Sequence, residues 1–166
     1  VHRASNQEVL YDLPRDLSVL TADELIYAVR SSGLVGLGGA AFPSHVKMKP
    51  PEGRKIETLV VNGCECEPYL TCDHRVMLEQ ADSIMAGIRI AMRATGATRA
   101  VIGVEDNKPD ALAKLRAHLP TDLQVTVEAV ETKYPQGAEK ILIKSLFGWE
   151  VPAGGLPADL GIAVYN

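Results

Sequence analysis

No stretch of this 166-residue chain approaches the roughly 18 to 20 consecutive apolar residues needed to cross a bilayer, and the opening VHRASNQEVLYDLPRD has no apolar core resembling a signal peptide. Direct membrane insertion is therefore not expected. Basic runs are lacking too. Lys and Arg number 17 against 21 Asp and Glu, the net charge is −4, and no nucleic-acid partner is expected. Cysteine is scarce, with only Cys64, Cys66 and Cys72. An odd, local cluster of thiols excludes a distributed disulfide framework and favours a reducing compartment. There is no internal repeat, no low-complexity tract and no Walker A pattern. The first residue is Val1 rather than methionine, and the last, Asn166, directly follows the apolar run GIAVY. The chain therefore reads as a piece of a longer protein.

What is present is enough apolar residue, 46%, to build one domain around a core without staples. Residues 1–20 read as an irregular lead-in and 21–166 as the domain. TADELIYAVRSSG predicts a helix over residues 22–32, with Thr21 as N-cap, Glu24 as its capping-box partner and Gly33 as the stop. The segment PSHVKMKPPEGRK reads as a loop. ETLVVNG, RAVIGVED, LQVTVEAV and GIAVY read as strands. Between them the pattern predicts one long helix from about Arg75 to Thr95, a second over KPDALAKLRAHL, and a third over PQGAEKILIKSLFG with Pro135 in its first turn and Gly148 at its end. Met77, Ile84, Ile88 and Met92 are the expected core face of the long helix. This alternation predicts an α/β fold, a Rossmann-like parallel sheet with helices on both faces in a single domain. In such sheets ligands bind beyond the carboxyl ends of the strands, where Asn62, Glu65, Tyr134 and Asn166 fall.

Four stretches carry candidate chemistry. GLVGLGGAAFPSHVK places four glycines in seven residues, followed by Phe42, Pro43 and Lys47. GLGGAA within it formally fits G-x-G-x-x-A, but the dinucleotide fingerprint follows a strand and opens a helix, whereas this stretch follows a helix and runs into Pro43. Consecutive glycine N–H groups can still form an anion nest, to which Lys47 adds a charge. The plain alternative is an ordinary turn. In NGCECEPYLTCDHR, Glu65 and Glu67 would share a side in an extended segment, suited to sugar hydroxyls, or would form a solvated acidic turn. The same stretch holds C-x-C-x5-C-x-H, formed by Cys64, Cys66, Cys72 and His74. That is enough ligands for a tetrahedral metal, but its spacing is poor for structural zinc, and no metal ligand is predicted. Tyr134, Gly137 and Glu139 stand at a helix start, where an anion or polar ligand edge is favoured, although Glu139 can equally serve the helix itself. The last stretch, WEVPAGGLPADLGIAVYN, is rich in turn formers and ends on Asn166.

Together, GLVGLGGAAFPSHVK, VVNGCECEPYLTCDHRVMLE, KYPQGAEKILIKSLFGWEVPAGGLPADLG and AVYN resemble the RnfC family, the C subunits of the bacterial Rnf electron-transport complexes. More distantly, they resemble the NADH-binding flavoprotein subunit of respiratory complex I. The resemblance runs from about Leu20 to Asn166. It implies a domain that binds FMN and NAD(H) and exchanges hydride between them, with [4Fe-4S] clusters in a C-terminal part beyond this chain. It further implies other Rnf subunits as partners and a peripheral place on the cytoplasmic side of the inner membrane. By position, Gly36, Gly38, Gly39 and Lys47 correspond to the loop that holds the FMN phosphate and ring. Asn62 and Glu65 correspond to flavin contacts, Tyr134, Gly137 and Glu139 to a second flavin wall, and Asn166 to an asparagine near the phosphate. Phe42 and Glu67 correspond to residues that meet the nicotinamide nucleotide. Three positions depart from the pattern, namely Ala41 where glycine is usual, and Ala138 and Cys64 where the complex I protein has glutamate and aspartate. A cofactor-free docking domain and a small metal-binding domain built on the cysteines are the alternative readings.

Overall fold

The computed structural model describes Asp16, residues 19–36 and residues 41–166. Most of the expected lead-in, together with Gly38 and Gly39, lies outside the described residues. Four strands, β1 (Thr58–Gly63), β2 (Arg99–Glu105), β3 (Gln124–Val130) and β4 (Ile162–Tyr165), form one sheet in the order β3-β2-β1-β4, with every neighbouring pair parallel. β2 is buried along nearly its whole length, as a strand covered on both faces must be, whereas the edge strand β3 alternates between exposed and buried residues.

Helices α1 (Ala22–Ser31), α2 (Ser44–Met48), α3 (Cys72–Glu79), α4 (Ala81–Thr95) and α5 (Pro109–Ala117) contribute to the core on one face. There Leu59, Ile102, Val104 and Val127 of the sheet meet Leu25, Met48, Met77, Ile88, Met92 and Leu115. On the other face Val60, Ile162 and Val164 meet Leu142 and Ile143 of α6 (Glu139–Phe147). α6 lies directly on β2, because a Cβ at Gly103 would stand 2.9 Å from Leu142 Cδ1. The expected parallel α/β sheet with helices on both faces is what the chain adopts. Its path steps from β1 to β2 to β3 and then returns by α6 on the opposite face to lay β4 beside β1. The order reverses between β1 and β4, and such a reversal opens a crevice at the carboxyl ends of the strands.

Helix ends form where local chemistry decides them. Thr21 and Glu24 form the capping box, with Thr21 N donating to Glu24 Oε2 at 2.7 Å, and Gly33 and Gly148 take φ of +69° and +72° just past their helices. At three places the chain departs from the expected elements. The long helix is two, broken at Gln80 (φ −125°, ψ 29°), although Met77, Ala81, Met85, Ile88 and Met92 keep core spacing straight through the break. The segment read as a loop contains the short helix α2, whose Met48 is buried. The last helix starts at Glu139, not at Pro135, because residues 133–138 form successive turns through Gln136 N to Lys133 O (2.8 Å) and Ala138 N to Pro135 O (2.9 Å).

Candidate functional site

Of the residues singled out from sequence, Lys47, Asn62, Gly137, Glu139 and Asn166 are linked to one another near the β1/β4 reversal, whereas among the described residues no hydrogen bond ties Glu67 or Tyr134 to them. Lys47, carried by α2, reaches over the end of β4. Its Nζ donates to Val164 O at 3.1 Å and to Glu139 Oε1 at 3.2 Å, and lies 5.9 Å from the Phe42 ring centroid. Asn62, near the end of β1, donates through Nδ2 to Gly137 O at 2.8 Å and accepts Cys64 N–H at 3.1 Å. Just past β4, Asn166 Nδ2 donates to Asn62 O at 3.1 Å and to Asp73 Oδ2 at 3.0 Å. Elements far apart in the chain thus meet at one end of the sheet.

The glycine loop is closed at its base by Gly36 N to Phe42 O (2.9 Å), Ser44 N to Leu34 O (3.1 Å) and an antiparallel bridge between Val35 and Pro43. Ala41 takes φ +50°, a left-handed backbone that costs a residue with a Cβ about 1 kcal/mol. Phe42 is 46% exposed and Tyr134 82% exposed. Glu67 is exposed and its carboxylate has no hydrogen-bond partner among the described residues.

Glu65 is turned to another task. Its Oε1 accepts Asp73 N–H at 2.9 Å and the Cys72 thiol at 3.3 Å, while Oε2 takes His74 N–H at 3.4 Å. It therefore caps the start of α3 from seven residues upstream, which is why that helix begins at Cys72 and not near Arg75. Burial pushes the Glu65 carboxyl upward, but these donors and the nearby Lys108 charge outweigh it and hold the group below its ordinary value. A carboxyl depressed in the folded state adds stability above the ordinary carboxylate range, and that stability is lost as pH falls through the folded-state value. Glu65→Gln should accordingly lower Tm at neutral pH. The gap to the unchanged chain should close below about pH 4; a gap that stays constant from neutral to acid would contradict the cap.

The structure adds residues that the sequence reading passed over. Glu105, at the end of β2, is 3% exposed and pairs with Lys108 Nζ at 2.5 Å, while its Oε2 also accepts Glu65 N–H at 3.1 Å. A charged pair three residues apart at the end of an apolar strand was the available signal. Asp73 bridges Glu65 and Asn166, and nothing in its local sequence announces this.

The cysteines do not converge on one point with His74. Cys64 is buried with Sγ 3.9 Å from Gly103 O, Cys66 Sγ accepts Gly137 N–H at 3.0 Å, Cys72 faces Glu65, and His74 Nε2 lies 2.9 Å from Asp110 Oδ1. Burial first, then the neighbouring Glu105 charge, pushes the Cys64 thiol up to about 12. A groove of about 570 Å3 lined by Leu25, Met92, Ala97 and Leu123 lies by the amino ends of β2 and β3, away from all of these residues.

Several observations fit a phosphorylated planar cofactor such as FMN. The missing Cβ of Gly137 lets the turn before α6 pack directly on the loop after β1, because a methyl there would come within 3.0 Å of Cys66 Sγ and 3.2 Å of Cys64 O. Gln136, fully buried beside it, has neither amide atom partnered among the described residues. The first turn of α6 has no side-chain cap, so its leading N–H groups are left to a ligand or to water.

The family model described as "Nuo51 FMN-binding domain" matches residues 29–166. The chain is 49% identical over 153 residues to the C subunit of the proton-translocating ferredoxin:NAD(+) oxidoreductase complex of Clostridium ljungdahlii, covering 92% of this chain and 33% of that protein. It is 48% identical over 150 residues to the C subunit of the Na(+)-translocating complex of Acetobacterium woodii, covering 90% and 34%. The chain spans about a third of the length of these relatives. Among solved structures, an NAD+-reducing [NiFe]-hydrogenase in the air-oxidised state superposes with a TM-score of 0.76 at 26% identity, over 87% of this chain and 28% of that one. The parallel sheet, a family model spanning most of its length and these relatives together place the chain in the Nuo51 FMN-binding domain family, alongside the C subunits of ion-translocating ferredoxin:NAD(+) oxidoreductase complexes.

Proposed function

We propose that this domain holds FMN at the β1/β4 reversal, takes NAD(H) against it for hydride exchange, and serves as the flavin-bearing part of an Rnf-type protein whose iron–sulfur clusters lie beyond this chain. The observation that carries the reading is the meeting of Lys47, Asn62, Gly137, Glu139 and Asn166 at that reversal, on a chain of an FMN-binding family.

Bound there, FMN would supply acceptance of a hydride and release of the two electrons singly, which no side chain of this domain can do. The residues present bind and orient. Lys47 offers a compact, partly exposed ammonium to a phosphate. Gly36 closes the base of the glycine loop, its own N–H given to Phe42 O, and the sequence pattern assigns Gly38 and Gly39 to the phosphate through their main-chain N–H groups. Asn62 and Asn166 set the polar floor, Glu65 supports it indirectly by capping α3 and so holding Asp73 against Asn166, Gly137 seats the wall on the loop after β1, and Tyr134 and Glu139 border the entrance beside the start of α6. Phe42 presents an exposed ring for stacking a nicotinamide, and the Glu67 carboxylate can accept hydrogen bonds from ribose hydroxyls. No residue is assigned as a general acid or base, because hydride transfer to a flavin requires none.

Among the described residues no helix is long and apolar enough to cross a membrane. The proposed place is peripheral, on the cytoplasmic side of the complex and against its other subunits. The test is anaerobic addition of NADH to the FMN-loaded chain, with bleaching of the flavin's visible absorbance expected. An FMN-loaded chain that NADH never bleaches would overturn the NAD(H) part of the reading. Glu67→Ala should weaken NADH by about tenfold, the size of one hydrogen bond to a charged group, with FMN retained. Unchanged NADH affinity in that variant would remove Glu67 from the site.

A further inference from the structure

The three clustered thiols have three different surroundings, and only Cys66 is turned onto the proposed flavin wall. Cys64 is buried against the sheet, and Cys72 is exposed and engaged by Glu65. Cys66 Sγ instead accepts the N–H of Gly137 at 3.0 Å, while Asn62 Nδ2 donates to the carbonyl of the same residue at 2.8 Å. Gly137 is therefore gripped at both main-chain polar atoms, by a residue near the end of β1 and by one in the loop that leaves it.

This grip matters because of what Gly137 belongs to. The connection from β3 to α6 carries Tyr134, Gly137 and Glu139. Near its start Thr132 is pinned to the loop after β2, with Oγ1 donating to Asp106 Oδ1 at 2.5 Å and accepting Asn107 N–H at 3.3 Å. Near its end the pin is Gly137. Between the two, Tyr134 is 82% exposed, and α6 has no capping side chain of its own to fix where its first turn stands. Without the Cys66 sulfur, Gly137 would keep only the Asn62 bond to its carbonyl, and its N–H would be left free to turn.

We propose that Cys66 is a positioning residue of the flavin site, and that its sulfur, by accepting the Gly137 N–H, sets the β3–α6 connection at the distance from β1 that FMN requires. The proposal rests on the FMN reading above. It concerns hydrogen-bond acceptance and no thiol chemistry, so serine should replace cysteine and alanine should not.

The experiment is an FMN titration of the unchanged chain, Cys66→Ala and Cys66→Ser. Cys66→Ala should bind FMN about tenfold more weakly and Cys66→Ser within about threefold of the unchanged chain, in line with one neutral hydrogen bond. Equal affinity in all three overturns the proposal, and so does an equal loss in both variants, which would assign the effect to the sulfur's bulk. A second measurement needs no variant. Saturating FMN should slow alkylation of Cys66 by iodoacetamide while Cys72 reacts as before, read by fragment-ion mass spectrometry; equal Cys66 rates with and without FMN overturn the proposal. If the unchanged chain binds no FMN, the flavin reading fails and takes this proposal with it, whereas binding that ignores Cys66 sinks only the latter.

Discussion

Lys47→Ala is expected to weaken FMN binding by roughly 10- to 100-fold while lowering the unfolding temperature by only about 2–4 °C, the size of the lost bond to Val164 O. The two halves of that expectation have different origins. The Lys47 ammonium stands at the end of β4, the only charge of its sign among the residues assigned to the crevice, and a hydrogen bond to a charged group contributes about 1.5–3 kcal/mol. Its contact with Glu139, by contrast, joins two side chains 37% and 38% exposed, where solvent screens the pair and little folding energy is at stake. Isothermal titration with FMN and a thermal melt of the FMN-free chain separate the two. A variant that binds FMN as the unchanged chain does would move the phosphate elsewhere.

Lys108→Met is expected to be the most destabilising single change at the carboxyl edge of the sheet. Lys108 and Glu105 are 8% and 3% exposed and 2.5 Å apart. Removing one partner leaves a buried, unpaired carboxylate, which costs about 3–5 kcal/mol, and Tm should fall by roughly 2–4 °C for each kcal/mol at this chain length. The double change Glu105→Gln with Lys108→Met removes both charges and should recover most of the loss. Because Glu105 Oε2 also accepts Glu65 N–H, the single variant should loosen FMN as well. Thermal melts of the two variants decide: equal losses in the single and the double would mean that the two charges are not coupled.

How far the sequence could be read follows from the range of the forces involved. Caps and stops at Thr21, Glu24, Gly33 and Gly148 depend on residues within four positions, and the strands announce themselves by apolar runs, so the elements and the α/β class were legible. The break at Gln80 was not, since core spacing passes through it without a flaw. The start of α3 was hidden because its cap, Glu65, lies seven residues before the helix in a loop. The late start of α6 was hidden because Asn62 and Cys66, distant in sequence, hold Gly137 out of helix. At the site, residue types that bind ligands directly were visible in their motifs, while Asp73, Glu105 and Lys108, which hold those residues in place, act across the sheet and leave only faint local marks.

Whether FMN binds at the β1/β4 reversal is decided by titrating the purified chain with FMN and following the quenching of flavin fluorescence. Saturable binding of one FMN per chain, lost or strongly weakened in Lys47→Ala, is the predicted result. A chain that is folded by circular dichroism yet leaves flavin fluorescence unchanged at every concentration would contradict it.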